Sequence, residues 1–409
     1  MANLTNVKTE FVIVAEAQAA AVGVNYGLLG DNLPSTEQVV ALCASRGIGR
    51  LRLFHPDAAV LGALRGSGIE VVLGTFNEEL PGLASDPSAA ENWVAANVVP
   101  FAGSVRFRYI NAGNEVIPGD NAGYVLPAIR NLDAALRAAG LQIPVTTAVA
   151  TMVLGVSYPP SQGAFSEAAA GVMAPIAAFL RSTSAPLLVN AYPYFSYARN
   201  EVELDYALFR AAGAPVIDGT LVYDNLLDAM VDAVYAALEK VGAPEVGVVV
   251  SETGWPSGGE GLGATVENAA AYVNNAVAHL EKGGGTPRRP GTATEAYLFA
   301  MFNENLKPAG TERYFGLFQP DMTEIALQFA GMGLWTLLEG FLLLVNALAI
   351  LNEDRFLAPR GWSFNEVTGG ARVKSLRGQL IGLIYATQYL RVPLIVLNTI
   401  TILVKLVSG

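Results

Sequence analysis

The chain has 409 residues, of which 52% are hydrophobic and 15% charged, and its formal net charge is −11. That length exceeds a usual single domain, and the apolar excess supplies a large core but is unusual for a wholly soluble chain. Its acidity makes it a poor partner for nucleic acid, and two histidines and one cysteine leave little from which to build a histidine metal site, a histidine-based triad or an internal disulfide.

Residues 11–14 form a short apolar run followed by small residues, the ending of a secretory leader. The run is brief for that role and Glu16 interrupts it. Asn3-Leu4-Thr5 is a formal glycosylation sequon, a pattern common by chance. From residue 23 onward, short apolar runs alternate with helix-like segments. Strands are predicted at 23–26, 50–54, 69–75, 107–111, 144–148, 187–191, 247–251 and 296–302. Amphipathic helices are predicted at 35–46, 91–99, 125–139, 225–241 and 266–282. In 225–241, Leu227, Met230, Val231, Val234 and Leu238 share one face at spacings of three and four, and Gly242 and Pro244 end the helix. Cys43 falls on the apolar face of 35–46 and reads as a buried, inert thiol. Eight strands alternating with helices indicate an α/β protein, a (β/α)8 TIM barrel. A doubly wound open sheet is the alternative, but no Gly-x-Gly-x-x-Gly follows the first strand.

The pattern changes at Met332. Residues 333–351 carry one charge, Glu339, and residues 380–406 are largely apolar, with Arg391 and Lys405 as their only charges. A membrane-spanning helix needs about 20 apolar residues, so both runs are long enough for a C-terminal two-helix transmembrane hairpin. A buried hairpin in a soluble protein is the alternative. Glu339 and Arg391 are costly inside a bilayer unless paired, which makes each a candidate contact to a partner helix. Residues 332–409 hold seven basic and four acidic side chains, so the negative charge belongs to residues 1–331.

Two strand ends carry the chemistry. The run at 107–111 leads into Gly113-Asn114-Glu115, and that at 247–251 into Glu252-Thr253-Gly254. In a barrel, catalytic groups stand at the C-terminal ends of strands, and the fourth and seventh ends face each other across the mouth. A lone glutamate there would read as a solvated loop residue or an ion-pair partner. Two in this order suit glycosidic cleavage, in which one carboxyl protonates the leaving oxygen and the other attacks the sugar carbon. The acid must keep its proton near neutral pH while the nucleophile stays ionised. Asn114 is placed to bond the sugar 2-hydroxyl, and Arg52 to pair with a cleft carboxylate. Tyr26, Tyr192 and Tyr194 sit at strand ends, where aromatic faces stack on sugars, although such rings also fill barrel cores. Trp255 divides evenly between stacking and locking the turn behind Glu252.

Residues 22–329 resemble the plant β-1,3-glucanases of glycoside hydrolase family 17. The resemblance is carried by Val24-Asn25-Tyr26-Gly27, Leu51-Arg52-Leu53-Phe54, Tyr109-Ile110-Asn111-Ala112-Gly113-Asn114-Glu115-Val116, Asn190-Ala191-Tyr192-Pro193-Tyr194-Phe195, Val250-Ser251-Glu252-Thr253-Gly254-Trp255-Pro256-Ser257, Ala300-Met301-Phe302-Asn303-Glu304-Asn305 and Glu312-Arg313-Tyr314-Phe315-Gly316-Leu317-Phe318. It implies a (β/α)8 fold, secretion, and retaining endo-hydrolysis of β-1,3-glucan without metal or cofactor. Glu115 would be the proton donor and Glu252 the nucleophile. Asn190, Phe302, Glu304, Lys307 and Glu312 would belong to the substrate cleft, with Glu304 and Glu312 as rival acids. Mixed-linkage β-1,3-1,4-glucan is the nearest alternative substrate. A glucan-binding protein without chemistry would lack a glutamate, and both are present.

Residues 332–409 resemble a second family, the immediate early response 3-interacting or Yos-type proteins. The matching pieces include Met332-Gly333-Leu334-Trp335-Thr336-Leu337-Leu338-Glu339-Gly340 and Leu348-Ala349-Ile350-Leu351-Asn352-Glu353-Asp354-Arg355-Phe356-Leu357. That resemblance implies a non-catalytic membrane factor of ER-to-Golgi transport, with membrane-protein partners there. No flexible linker separates the two parts. The chain therefore reads as two adjacent coding regions joined, with a membrane-tethered glucanase as the alternative.

Overall fold

The structure is a computed structural model that describes residues 22–211, 215–325 and Asn398. The N-terminal segment 1–21 and the hairpin spans 333–351 and 380–406, Asn398 apart, lie outside the described residues. Among the described residues no helix is long and apolar enough to cross a membrane. The chain divides into two compact units, Met1–Leu327 and Gln328–Gly409, and the fold below is that of the first.

Eight strands close a parallel barrel in sequence order: β1 (Val22–Tyr26), β2 (Arg50–Leu53), β3 (Glu70–Gly74), β4 (Arg106–Asn114), β5 (Val145–Ala150), β6 (Leu187–Asn190), β7 (Val248–Thr253) and β8 (Ala296–Leu298). Closure is made by β1 against β8, with Val24 opposite Leu298. The expected TIM barrel is present. The two largest boundary differences from the sequence lie in β4 and β8. Strand β4 runs on to Asn114. Strand β8 ends at Leu298 rather than 302, because beyond it the chain is shared between the barrel, where the Phe299 and Met301 amides donate to Thr253 O and Asn25 O, and a returning segment. There the Ala300 amide donates to Phe315 O, and the Phe318 amide to Met301 O.

Polar N-caps set where the outer helices begin. Ser35 and Gln38 form a capping box on Thr36–Ser45, Asn225 caps Leu226–Lys240, and Thr265 caps Val266–Glu281. The helix Leu226–Lys240 buries more than the single face its periodicity shows; Asp228 and Asp232 are buried as well. The reason is a second cover, since short hairpin strands at Leu154–Val156, Ala164–Phe165 and Leu221–Tyr223 pack on its outer side.

Alternation along β2 turns Arg50 and Arg52 to one side of the strand, at two levels. At the N-terminal level Arg50 donates to Glu70 at 2.9 Å, and Arg108 grips Glu295 with two bonds of 2.6 and 2.5 Å. Above this charged floor Val72, Ala148, Leu188, Val249 and Tyr297 form a dry cluster. Arg52 lies at the mouth level, fully buried.

Candidate active site

Both glutamates stand at strand irregularities, Glu115 just past β4 and Glu252 within β7. The register of β4 against β5 shifts between Asn111 and Asn114, and that of β7 against β6 between Val250 and Glu252. Such bulges re-aim side chains, and they cluster beside active sites. Gly113 supplies the left-handed turn at φ 79°, where a Cβ would stand 2.8 Å from Leu80 Cδ1. Glu115 itself has φ 56°, a strained conformation for a non-glycine residue and one often kept at functional sites. Asn77 holds the turn. Its Oδ1 accepts the Asn114 amide at 2.8 Å, and its Nδ2 donates to Asn114 O at 2.9 Å.

Glu252 is buried and fully engaged. Its Oε1 accepts from Arg52 Nη1 at 2.6 Å and from Asn190 Nδ2 at 2.9 Å, and its Oε2 accepts from the Tyr192 hydroxyl at 2.7 Å. Arg52 is anchored in turn, with Nη1 donating to Asn25 Oδ1 at 2.9 Å and Nη2 to Asn114 Oδ1 at 2.8 Å. These donors make a charged carboxylate tolerable in a buried place.

Glu115 is an exposed residue, but its carboxyl turns into the cleft, where Oε1 accepts from Asn190 Nδ2 at 2.7 Å. Loss of solvent raises its pKa, and the facing Glu252 charge adds to this. The Asn190 bond and the Arg52 charge oppose the rise without cancelling it. One nitrogen therefore touches both carboxylates. The two oxygens lie at most about 5.6 Å apart, short of the inverting range of roughly 6.5–9.5 Å.

The pair opens on a cleft of about 1720 Å³. Glu304, Lys307 and Glu312 line it, as do Asn190 and Tyr192. Glu304 is no partner of the Asn190 bridge. Its Oε1 accepts the Leu29 amide at 2.8 Å, its Oε2 pairs with Lys307 Nζ at 3.8 Å, and a Cβ on Gly27 would fall 2.4 Å from Oε1. Lys307 Nζ also stands 4.2 Å from the centre of the Phe299 ring.

Four rings expected at the sugar are buried in this structure. Tyr26 and Phe302 are buried and pack edge to face at 6.3 Å. Tyr194 and Trp255, each 2% exposed, pack at 5.1 Å, and Trp255 Nε1 donates to Gly263 O at 2.8 Å. Position at a strand end does not decide the direction of a ring, and these four turn inward. Arg52 pairs with the cleft carboxylate Glu252, as expected, and is itself fully buried. Tyr192, expected there, does line the cleft, and it is joined by rings given no role from the sequence: Phe299 and Phe315 around it, the exposed Tyr158, and exposed Phe76 stacked on His55 at 4.3 Å. Asn25, Asn77 and Ser251 were missed too. Asn25 stood in a quoted motif, but its partners lie far away in sequence.

The family model described as glycosyl hydrolases family 17 matches residues 22–327. The chain belongs to this family. A Hordeum vulgare relative is 60% identical over 313 residues, covering 76% of this chain and 97% of the relative. The Vitis vinifera glucan endo-1,3-beta-glucosidase is 52% identical over 311 residues, covering 74% and 89%. Among solved structures, CJP38, a beta-1,3-glucanase and allergen of Cryptomeria japonica pollen, superposes with a TM-score of 0.73 at 47% identity, covering 75% of this chain and 98% of that one. A second family model, Yos1-like, matches residues 334–409.

Proposed function

We propose that the family 17 unit of this chain, residues 22–327, is a retaining endo-β-1,3-glucanase, with Glu252 as nucleophile and Glu115 as acid and then base. The observation that carries this is the single Asn190 nitrogen within hydrogen-bond reach of both carboxylates. A Glu252 oxygen attacks the anomeric carbon while the glycosidic C–O bond breaks, and the Glu115 proton passes to the leaving oxygen. A glucosyl ester on Glu252 results. Esterification removes the Glu252 charge, one of the two main influences holding the Glu115 pKa up, so the Glu115 carboxylate can now take a proton from water. The water oxygen attacks the same carbon and Glu252 leaves as carboxylate. Two inversions give net retention. Asn114 Oδ1 is occupied by Arg52 and Asn190, which leaves its amide nitrogen for a sugar hydroxyl. The large cleft suits attack within a polymer, since pockets for small ligands hold roughly 300–1,000 Å³.

In laminarin digests followed by proton NMR, the β-anomer of the new reducing end is expected to appear first. The α-anomer first would overturn the assignment. Lichenan cleaved as fast as laminarin would favour mixed-linkage activity instead.

For residues 334–409 the Yos1-like match supports a membrane factor of the early secretory pathway, with spans at 333–351 and 380–406. A wall-directed hydrolase and such a factor share no chemistry, and the chain reads as two coding regions joined. An immunoblot against an epitope in Leu226–Lys240 is expected to detect a product shorter than 42.9 kDa outside the membrane fraction. A single full-length membrane band would reverse this in favour of a tethered glucanase.

A further inference from the structure

The Asn190 side chain is asked to serve more acceptors than it has hydrogens. Its Nδ2 carries two N–H bonds and lies 3.1 Å from Asn114 Oδ1, 2.7 Å from Glu115 Oε1 and 2.9 Å from Glu252 Oε1. The opposite end of the amide is fixed. Asn190 Oδ1 accepts from the Ser251 hydroxyl at 2.7 Å, and both residues are buried. The carboxylates on the other side only accept, so they require the N–H end of the amide, and the Ser251 hydroxyl is thereby the donor to Oδ1. Ser251 precedes Glu252 in β7, and the register shift between Val250 and Glu252 lets both consecutive side chains reach Asn190.

We infer that Ser251 and Asn190 form a positioning arm, in which the Ser251 hydroxyl holds the amide as a pivot while its N–H bonds shift between the two carboxylates as their charges exchange. This rests on the roles of Glu115 and Glu252 given above. In the free enzyme Glu252 is the anion and Glu115 carries the proton, so the stronger bond goes to Glu252. In the glucosyl ester the anion is Glu115, and the stronger bond moves there without the arm changing place. The arm thus favours ionised Glu115 in the step where it must act as base. The other groups acting on Glu115 are the Glu252 carboxylate from β7, the Arg52 guanidinium from β2 and the Glu312 carboxylate after β8. None of them accepts from or donates to the Ser251 hydroxyl, whose partner is Asn190 Oδ1; Glu252 is reached only through the Asn190 amide.

The test is Ser251→Ala beside Ser251→Thr, each in the full chain. Ser251→Ala frees the amide to turn away, weakening the bond that lowers the Glu115 pKa. The alkaline limb of kcat/KM on laminarin is then expected to move upward. The kcat for a laminaribioside with a good leaving group, limited by hydrolysis of the ester, is expected to fall roughly tenfold to a hundredfold. Ser251→Thr keeps the hydroxyl and is expected to restore both. A simple packing defect would lower kcat without moving the limb, so an unmoved limb in Ser251→Ala overturns the arm. Carboxyl carbon NMR of Glu115 gives a readout independent of turnover. The same upward displacement of its titration in Ser251→Ala supports the arm, and an unchanged titration sinks it. Wild-type protein inactive on every glucan would fail the catalytic reading, and the NMR comparison would still decide whether Ser251 acts on Glu115.

Discussion

Glu252→Ala is expected to end laminarin hydrolysis, with a loss on the order of 10⁴-fold or more in kcat. The substitution removes the atom that forms the covalent bond, and no other described carboxylate reaches Asn190 beside Glu115. Binding should survive, because the fold around the gap keeps its supports. Arg52 retains Asn25 Oδ1 and Asn114 Oδ1 as acceptors, and the cleft walls around Phe76, Tyr158 and Phe315 are untouched. Titration calorimetry with laminarihexaose should show affinity close to wild type. Added azide makes the test sharper. In Glu252→Ala with an activated glucoside, azide enters from the vacated side and gives the α-glucosyl azide. In Glu115→Ala, the ester still forms and azide traps it as the β-glucosyl azide. Reversal of these products would exchange the two roles. Unchanged hydrolysis by Glu252→Ala would remove Glu252 from the mechanism.

What could be read from the chain divides along a physical line. Barrel strands are continuous apolar runs because both faces are covered, so runs such as Val71-Val72-Leu73 and Leu187-Leu188-Val189 mark themselves. Asn225 at a cap and Gly242 past the end bound their helix by local chemistry. The two glutamates were legible because position at a strand end is also position at the mouth. Direction within the mouth was not. Trp255 and Tyr194 occupy strand ends yet turn inward, and nothing local in Gly254-Trp255-Pro256 says so, since the acceptor of the indole is Gly263 O across a loop. The Asn190 bridge was also out of reach. It depends on a register shift in β7 that brings Ser251 and Glu252 to the same amide, and a bulge of that kind leaves no periodicity to count. Strand β8 stops early for a similar reason, because the partner of Ala300 is Phe315 rather than a neighbouring barrel strand.

Arg52→Met is expected to destabilise the barrel by about 3–5 kcal/mol, the cost of leaving a buried ion without its partner. Arg52 is fully buried, and its guanidinium is shared among Glu252, Asn25 and Asn114. Methionine fills much of the volume and removes all of the charge, so the loss is electrostatic rather than a cavity. Tyr192 and Asn190 still donate to Glu252, which places the effect toward the lower end. Urea unfolding at neutral pH is the measurement. A double variant with Glu252→Gln should regain most of the stability, because the carboxamide carries no charge to compensate, although it will not regain activity. Arg52→Lys keeps a charge but not the planar fork that reaches Nη1 and Nη2 partners together. It should hold the fold better than methionine and still lose much of kcat, as Asn114 and Glu252 are no longer set by one rigid group. If Arg52→Met proves as stable as wild type at neutral pH, the ion pair contributes nothing net, and the orientation of Glu252 must rest on Tyr192 and Asn190 alone.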